Sequence, residues 1–65
     1  MTVYIERQAH ILPDGSTVLD AVAALSPFGA DQTIVTLNGV RIDADSDVPL
    51  SEGDALAFFP LLIGG

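Results

Sequence analysis

The strongest local signal in this sequence is a pair of short strands that are joined by a two-residue turn. Thr33–Leu37 consists of β-branched residues and a leucine, which favour extended backbone. Asn38-Gly39 follows, the dipeptide best suited to the positive backbone angles of a tight hairpin turn, and Val40–Ile42 then returns antiparallel. The apolar face of such a hairpin must be buried against another element, so these residues predict a layered fold.

A short helix is predicted ahead of this hairpin. Thr17 stands three residues before Asp20, the spacing at which a hydroxyl caps a helix start while a carboxylate reaches back to the capping residue's amide. Apolar residues recur at spacings of four and three from Val18 to Leu25, which gives one apolar face over about two turns. Pro27 ends the helix, because the residue before a proline avoids helical backbone angles.

An N-terminal hairpin is predicted to precede the helix. Residues 3–6 are rich in β-branched and aromatic side chains, and they form a first strand with Val3 and Ile5 directed inward. Residues 7–9 form the turn, and residues 10–12 pair back as the second strand. A proline and an Asp-Gly pair directly after the second strand end it with turn chemistry.

The order of these elements predicts an α+β fold in a single domain. Two strands are followed by one helix and at least two more strands, of which the last covers residues 55–59. A chain of 65 residues has room for one core, and one short helix packed on one mixed sheet of four to five strands buries the apolar faces economically. We therefore expect a domain over residues 1–59 and a flexible, extended tail over residues 60–65.

The composition disfavours several classes of function. Two arginines, no lysine and nine acidic residues give a formal charge of −7, which repels nucleic-acid phosphates and favours a basic partner surface. The absence of cysteine removes disulfides, thiolate metal sites and thiol nucleophiles. No secretory leader is visible, and the longest apolar run, residues 55–63, is far shorter than the roughly 20 residues that cross a bilayer. We expect a cytoplasmic protein that binds neither nucleic acid nor a membrane.

The C-terminal segment, residues 60–65, differs from the rest of the chain. It carries no charge, and its extended length of at most about 20 Å is enough to reach into the active site of another protein. Gly64 and Gly65 add chain entropy and stabilise nothing in a fold, but without side chains they can pass through a narrow channel. A terminal carboxylate is a poor electrophile until it is adenylated, so the segment implies a partner that uses ATP.

These features coincide in a known family. The run Asp-Val-Pro-Leu-Ser-Glu-Gly-Asp-Ala-Leu-Ala-Phe-Phe-Pro at residues 47–60, closing on Gly64-Gly65, resembles the C-terminal third of ubiquitin-like sulfur carriers. That family includes the small subunit of molybdopterin synthase and the sulfur carrier of thiamine biosynthesis. Weaker matches at residues 14–18 and 37–40 follow the family's order, so the resemblance extends over essentially the whole chain and implies a β-grasp (ubiquitin-like) fold.

The resemblance also implies a function without catalysis by the chain itself. Gly65 is the acyl group, which a ubiquitin-activating-type adenylyltransferase adenylates with its own ATP and Mg²⁺, and Gly64 is the thin stalk. A sulfur donor protein converts the adenylate to a thiocarboxylate, which gives its sulfur to the large subunit of molybdopterin synthase or to a thiazole synthase. The Phe58-Phe59-Pro60 motif favours the molybdopterin branch, the short chain resembles the thiamine carrier, and a carrier for another sulfur-containing metabolite is a further alternative. The chain is expected to hold no cofactor and no metal of its own.

The final strand and the tail are expected to form the partner-binding surface. Alternation along the strand directs Leu56 and Phe58 into the core and Ala57 to the opposite face. The alternative for Phe59 is a place in a second layer of the core. The residues predicted to face the partner are Phe59, Pro60, Leu61, Leu62 and Ile63.

Two other functions are compatible with the same tail. A ubiquitin-like protein modifier would pass its activated glycine to a lysine of a target protein. A plain binding module would dock the tail in a groove, and its glycines would then be incidental.

The remaining polar residues are interpreted as structural. His10 is expected to be a solvent-facing strand residue, because it has no cysteine or second histidine to act with. The acidic residues of segment 43–47 resemble a calcium loop, but the required turn glycine is missing and Asp54 stands where the distal glutamate is needed. Arg7 and Arg41 are expected to pair with neighbouring carboxylates.

Overall fold

The computed structural model describes residues 1–62 of the chain. Predictions that concern Ile63, Gly64 and Gly65 lie outside these residues. The described part contains one α-helix, one short 3-10 helix at Ala30–Gln32, and five strands. The elements are β1 (Thr2–Ile5), β2 (Gln8–Ile11), α1 (Val18–Leu25), β3 (Thr33–Leu37), β4 (Val40–Ile42) and β5 (Ala55–Pro60).

The five strands of residues 1–62 form one mixed sheet in the order β2-β1-β5-β3-β4. Both predicted hairpins are present, and the last strand lies in the centre, parallel to β1 and antiparallel to β3. Helix α1 links β2 to β3 across one face of the sheet. This arrangement confirms the expected α+β fold of β-grasp type.

The core lies between α1 and one face of the sheet. Val18, Ala21 and Val22 on the helix are completely buried, as the apolar spacing predicted. They pack against inward side chains from three strands and from two loops. These inward side chains are Val3, Leu12, Val35, Leu50, Leu56 and Phe58.

No helix within residues 1–62 has the length and apolar character needed to cross a membrane.

The start of α1 has its backbone donors satisfied from two sources. The predicted capping box is present: Asp20 N donates to Thr17 Oγ1 at 3.2 Å, and Thr17 N donates to Asp20 Oδ2 at 2.9 Å. The next two free amides, of Val18 and Leu19, donate to carbonyls of the 43–49 loop at 3.0 Å each. The acidic loop therefore has a structural role in closing the helix N-terminus.

The N-terminal hairpin has a different register from the predicted one. Its turn consists of two residues, Glu6 and Arg7, with φ of 51° and 70°, and β2 begins at Gln8 rather than at residue 10. Sequence patterns did not indicate this turn, because such backbone angles favour glycine or asparagine. The pairing places His10 opposite the buried Val3, on the side of the sheet that α1 covers. The prediction that His10 faces solvent is therefore wrong.

The last strand is one residue longer than predicted. Pro60 pairs with Thr33 at the end of β5, and Leu61 N donates to the carbonyl of Gln32 at 2.8 Å. Proline has no amide hydrogen, so Leu61 supplies the last donor to the sheet. The expected boundary between residues 59 and 60 consequently falls inside the sheet, and sheet hydrogen bonding extends through Leu61.

Removing the cap of α1 should weaken the fold measurably. Thr17→Ala deletes the hydroxyl that accepts from Asp20 N, and we expect a loss of about 1 kcal/mol in the free energy of unfolding. Urea denaturation followed by circular dichroism measures the loss. Thr17→Ser keeps the hydroxyl and should keep most of the stability, whereas equal losses in both variants would contradict the capping role.

Relieving the backbone strain in the turn between β1 and β2 should raise the stability of the fold. The double substitution Glu6→Asn and Arg7→Gly supplies residues that adopt positive φ at low cost, and we expect a gain of about 1 to 2 kcal/mol in the free energy of unfolding. Urea denaturation measures the gain. Unchanged or lower stability in the double variant would show that the turn is not strained.

Candidate functional site

Strand β5 alternates strictly between the core and the opposite face of the sheet. Leu56 and Phe58 are 3% and 5% exposed, whereas Phe59 is 49% exposed and Ala57 is partly exposed. The predicted inward and outward directions along this strand are thus confirmed. Phe59 is not part of a second core layer, because half of its surface is open to solvent.

The face of the sheet that α1 does not cover is mostly apolar, and we call it the open face. Strand pairing places its residues in register, because side chains of paired residues point to the same side of a sheet. The open face comprises Thr2, Tyr4, Ala9, Ile11, Ile34, Thr36, Arg41, Ala55, Ala57 and Phe59. Tyr4 is 43% exposed and Ile11 is 77% exposed.

A shallow depression of about 560 Å³ lies on the open face where β1 and β5 run side by side. Small side chains at Ala55 and Ala57 form its floor, and Tyr4 lines it from the neighbouring strand. Glu6 and Arg7, from the β1–β2 turn, complete its rim. A concave apolar surface with two charged groups at the edge is suited to receive a side chain of a partner protein.

The segment that follows β5 continues from this face. Phe59 and Pro60 end the strand with exposed side chains, Leu61 is partly buried, and Leu62 is 84% exposed. The structure therefore brings the four described members of the predicted partner surface together at one end of β5. Ile63 is the fifth predicted member and lies outside the described residues. Their role in binding stays a prediction.

Tyr4, Ile11 and Ile34 are the large apolar residues of the open face that were not singled out in the sequence. Tyr4 belongs to a strand whose alternation was recognised, and as the residue after the inward Val3 it points to the other face of the sheet. Its nearness to β5 depends on the parallel pairing of Tyr4 with Ala55, which no local pattern indicates. Alternation alone could therefore have suggested an outward Tyr4 but not its place beside the final strand.

The other candidate residues do not assemble into a catalytic or metal site within residues 1–62. His10 lines a separate depression of about 310 Å³ between the sheet and the end of α1, among Leu25, Phe28 and other mostly apolar residues. No group of three or more acidic, histidine or cysteine residues in the described chain could hold a metal ion. The 43–47 segment forms a solvated loop, in agreement with the interpretation from the sequence.

The two arginines do not have the partners that the sequence led us to expect. Among residues 1–62, the ion pair that forms joins the Met1 amino group to Asp14 Oδ1 at 3.3 Å, and neither Arg7 nor Arg41 lies within 4.0 Å of a carboxylate oxygen. Both side chains are exposed. Pairing of the arginines with neighbouring carboxylates is therefore not observed.

Strand order, helix position and the apolar open face define a β-grasp protein. The chain belongs to the TP0910 S1-like domain family, whose model matches residues 2–58. That match leaves residues 59–65, and with them the glycine terminus, outside the family model. No curated protein matches the sequence.

A solved structure of the same fold resembles the chain over its whole length. The thiamine biosynthesis protein ThiS from Geobacter metallireducens is 26% identical, and the superposition has a TM-score of 0.74 and covers 100% of both chains. The chain is thus a small ThiS-like protein with a five-stranded mixed sheet and one helix in its described residues. The resemblance includes β5 and therefore the strand that leads to the C-terminal segment.

Neighbouring phenylalanines on β5 should respond differently to truncation. Phe58→Ala empties a buried site and should lower the free energy of unfolding by about 3 to 5 kcal/mol, whereas the half-exposed Phe59→Ala should lower it by about 1 kcal/mol. Urea denaturation compares the two variants, with the exposed Leu62→Ala as the unaffected control. A loss for Phe59→Ala as large as that for Phe58→Ala would show that Phe59 belongs to the core.

Proposed function

We propose that this chain is a sulfur carrier whose C-terminal glycine is converted to a thiocarboxylate in the biosynthesis of a sulfur-containing cofactor. The observation that carries the proposal is the whole-length likeness to ThiS together with an exposed apolar surface that continues from β5 to Leu62, just ahead of Gly64-Gly65 in the sequence. The open face binds the partner enzyme, and the glycines enter its active site.

The chemistry proceeds in two steps at Gly65. A carboxylate oxygen attacks the α-phosphate of ATP on a ubiquitin-activating-type adenylyltransferase, and pyrophosphate leaves to give an acyl-adenylate. Hydrosulfide supplied by a donor protein then attacks the acyl carbon, AMP leaves, and loss of a proton gives the thiocarboxylate. Where the donor instead presents a persulfide, its terminal sulfur displaces AMP to form an acyl disulfide, and a thiol reductant cleaves that disulfide to release the thiocarboxylate. Mg²⁺ and ATP belong to the adenylyltransferase. The carrier contributes the acyl group, and its lack of cysteine is consistent with sulfur held on that group rather than on a thiol.

Two acceptors of the sulfur are supported by separate observations. Likeness to the thiamine biosynthesis protein ThiS over the full length of both chains favours a thiazole synthase. The motif Phe58-Phe59-Pro60 favours the large subunit of molybdopterin synthase, since it resembles the tail of that enzyme's small subunit. Because the open face and the glycines serve both acceptors in the same way, the carrier chemistry does not depend on which one is used.

Thiocarboxylate formation is directly measurable on the purified chain. Incubation with the adenylyltransferase, Mg²⁺-ATP and a sulfur donor should change the intact mass by the exchange of one oxygen for sulfur. A matched variant with one alanine added after Gly65 has the same fold but presents no glycine carboxylate, so its mass should not change. The positive control is the carrier protein that the chosen adenylyltransferase is known to activate. If that control protein is thiocarboxylated and this chain is not, with persulfide and with sulfide as donors, the proposal is overturned.

The acceptor is identified by supplying the thiocarboxylated carrier to each candidate enzyme with its precursor. Thiazole formation and molybdopterin formation are the two expected products, and return of the carrier to its original mass accompanies either one. A ladder of conjugates on target proteins, without loss of sulfur to a small molecule, would instead identify a protein modifier.

A further inference from the structure

The charges of this chain are distributed unevenly around the sheet. The chain has nine acidic residues, yet no strand position of the open face holds a carboxylate. Both basic side chains, in contrast, border that face: Arg41 projects from β4, and Arg7 lines the depression beside β5. Glu6 is the acidic residue at the rim of the depression.

The two arginines lie on opposite sides of the small side chains in the middle of the open face. Arg41 pairs with Thr36, which pairs with Ala57. Continuing the parallel register of β1 with β5 past Ile5 brings Glu6 level with Ala57, and Arg7 follows as the next residue of the turn. Three strand spacings of about 4.8 Å separate β4 from β1 across β3 and β5, so the backbones that carry the two arginines lie about 14 Å apart with small side chains between them.

The position of Arg7 has an energetic cost. Its φ of 70° lies in the left-handed region, where a residue with a side chain is less stable than glycine by about 1 to 2 kcal/mol. Strain of this kind concentrates at binding sites, where it presents a side chain in a fixed direction. Arg7 therefore combines a strained backbone, an exposed side chain and no carboxylate partner within the described residues.

We propose that Arg7 and Arg41 are the charged anchors of the docking surface and that they bind two carboxylates of the adenylyltransferase on either side of an apolar contact. This inference rests on the proposed function and adds the chemistry of the partner surface to it. Overall charge would draw the acidic chain to any basic surface, whereas the two arginines select an enzyme that presents acidic groups at the edges of its docking patch. They fix the orientation in which the C-terminal segment meets the active site.

Binding of matched variants to the adenylyltransferase tests the proposal. Arg7→Gln and Arg41→Gln should each weaken binding about two- to fivefold, as is typical of exposed ion pairs. Because about 14 Å exceeds the Debye length of about 8 Å, the two effects should multiply in the double variant. Arg7→Lys and Arg41→Lys keep the charge and should retain most of the affinity, and Glu6→Gln should tighten binding slightly. Titration calorimetry at low and high salt measures these changes.

A control variant separates the effect of local ion pairs on binding from the effect of the net charge of the chain. Ala23→Glu, on the exposed side of α1, changes the net charge by the same amount as either glutamine variant but lies away from the open face. It should leave the affinity unchanged. Thermal unfolding of every variant establishes that the fold is retained.

The possible outcomes are distinguishable. If the wild-type chain is adenylated and both glutamine variants bind as tightly as it does, or if Ala23→Glu weakens binding equally, the arginine proposal is overturned and the carrier proposal stands. If the wild-type chain neither binds nor supports ATP–pyrophosphate exchange, both proposals are overturned. Weaker binding of the glutamine variants alone, with a smaller effect at high salt, supports the arginine proposal.

Discussion

The parallel pairing of β1 with β5 is the contact on which the rest of this structure depends. It joins Tyr4 to Ala55 and Ile5 to Leu56, and the Tyr4 amide also donates to the carbonyl of Asp54 at 2.9 Å. The pairing connects the first and last strands of the sheet, so two hairpins that would each be marginal alone become one sheet with a shared core. It also places the strand that leads to the C-terminal segment in the centre of that sheet.

Strand β5 serves the core and the open face at the same time, and this requires a fixed register. A shift of one residue would turn Phe58 outward and bury Phe59, which would exchange the two faces. Asn38 holds the register through two hydrogen bonds to Ala55. The backbone N–H of Asn38 donates to the carbonyl of Ala55 at 2.7 Å, and the backbone N–H of Ala55 donates to Asn38 Oδ1 at 2.9 Å. The asparagine that forms the second hairpin turn thus also aligns the start of the final strand.

Local patterns predicted the elements whose formation depends on nearby residues. The helix with its capping box, the second hairpin and the alternation of β5 are confirmed because each is determined within a few positions of the chain. The first hairpin was misplaced because Glu6 and Arg7 adopt angles that their side chains disfavour, and the pairing of His10 with Val3, which puts His10 on the α1 side of the sheet, was not predicted. Strand neighbours, the depression and the isolation of the arginines depend on tertiary pairing, which a single sequence does not specify.

The distribution of carboxylates explains how so acidic a chain can present a largely apolar face. Several of them are used by the backbone of turns and helix ends: Asp20 accepts from Thr17, Glu52 Oε1 accepts from Thr2 N at 2.8 Å, and Asp54 Oδ2 accepts from Ser51 N at 2.7 Å. These roles fix negative charge at the loops and ends of the sheet. Repulsion between copies of the chain is retained, while close approach through the apolar open face meets no carboxylate on its strands. The chain can therefore be strongly acidic and still have an apolar open face, because its carboxylates lie outside the strand positions of that face.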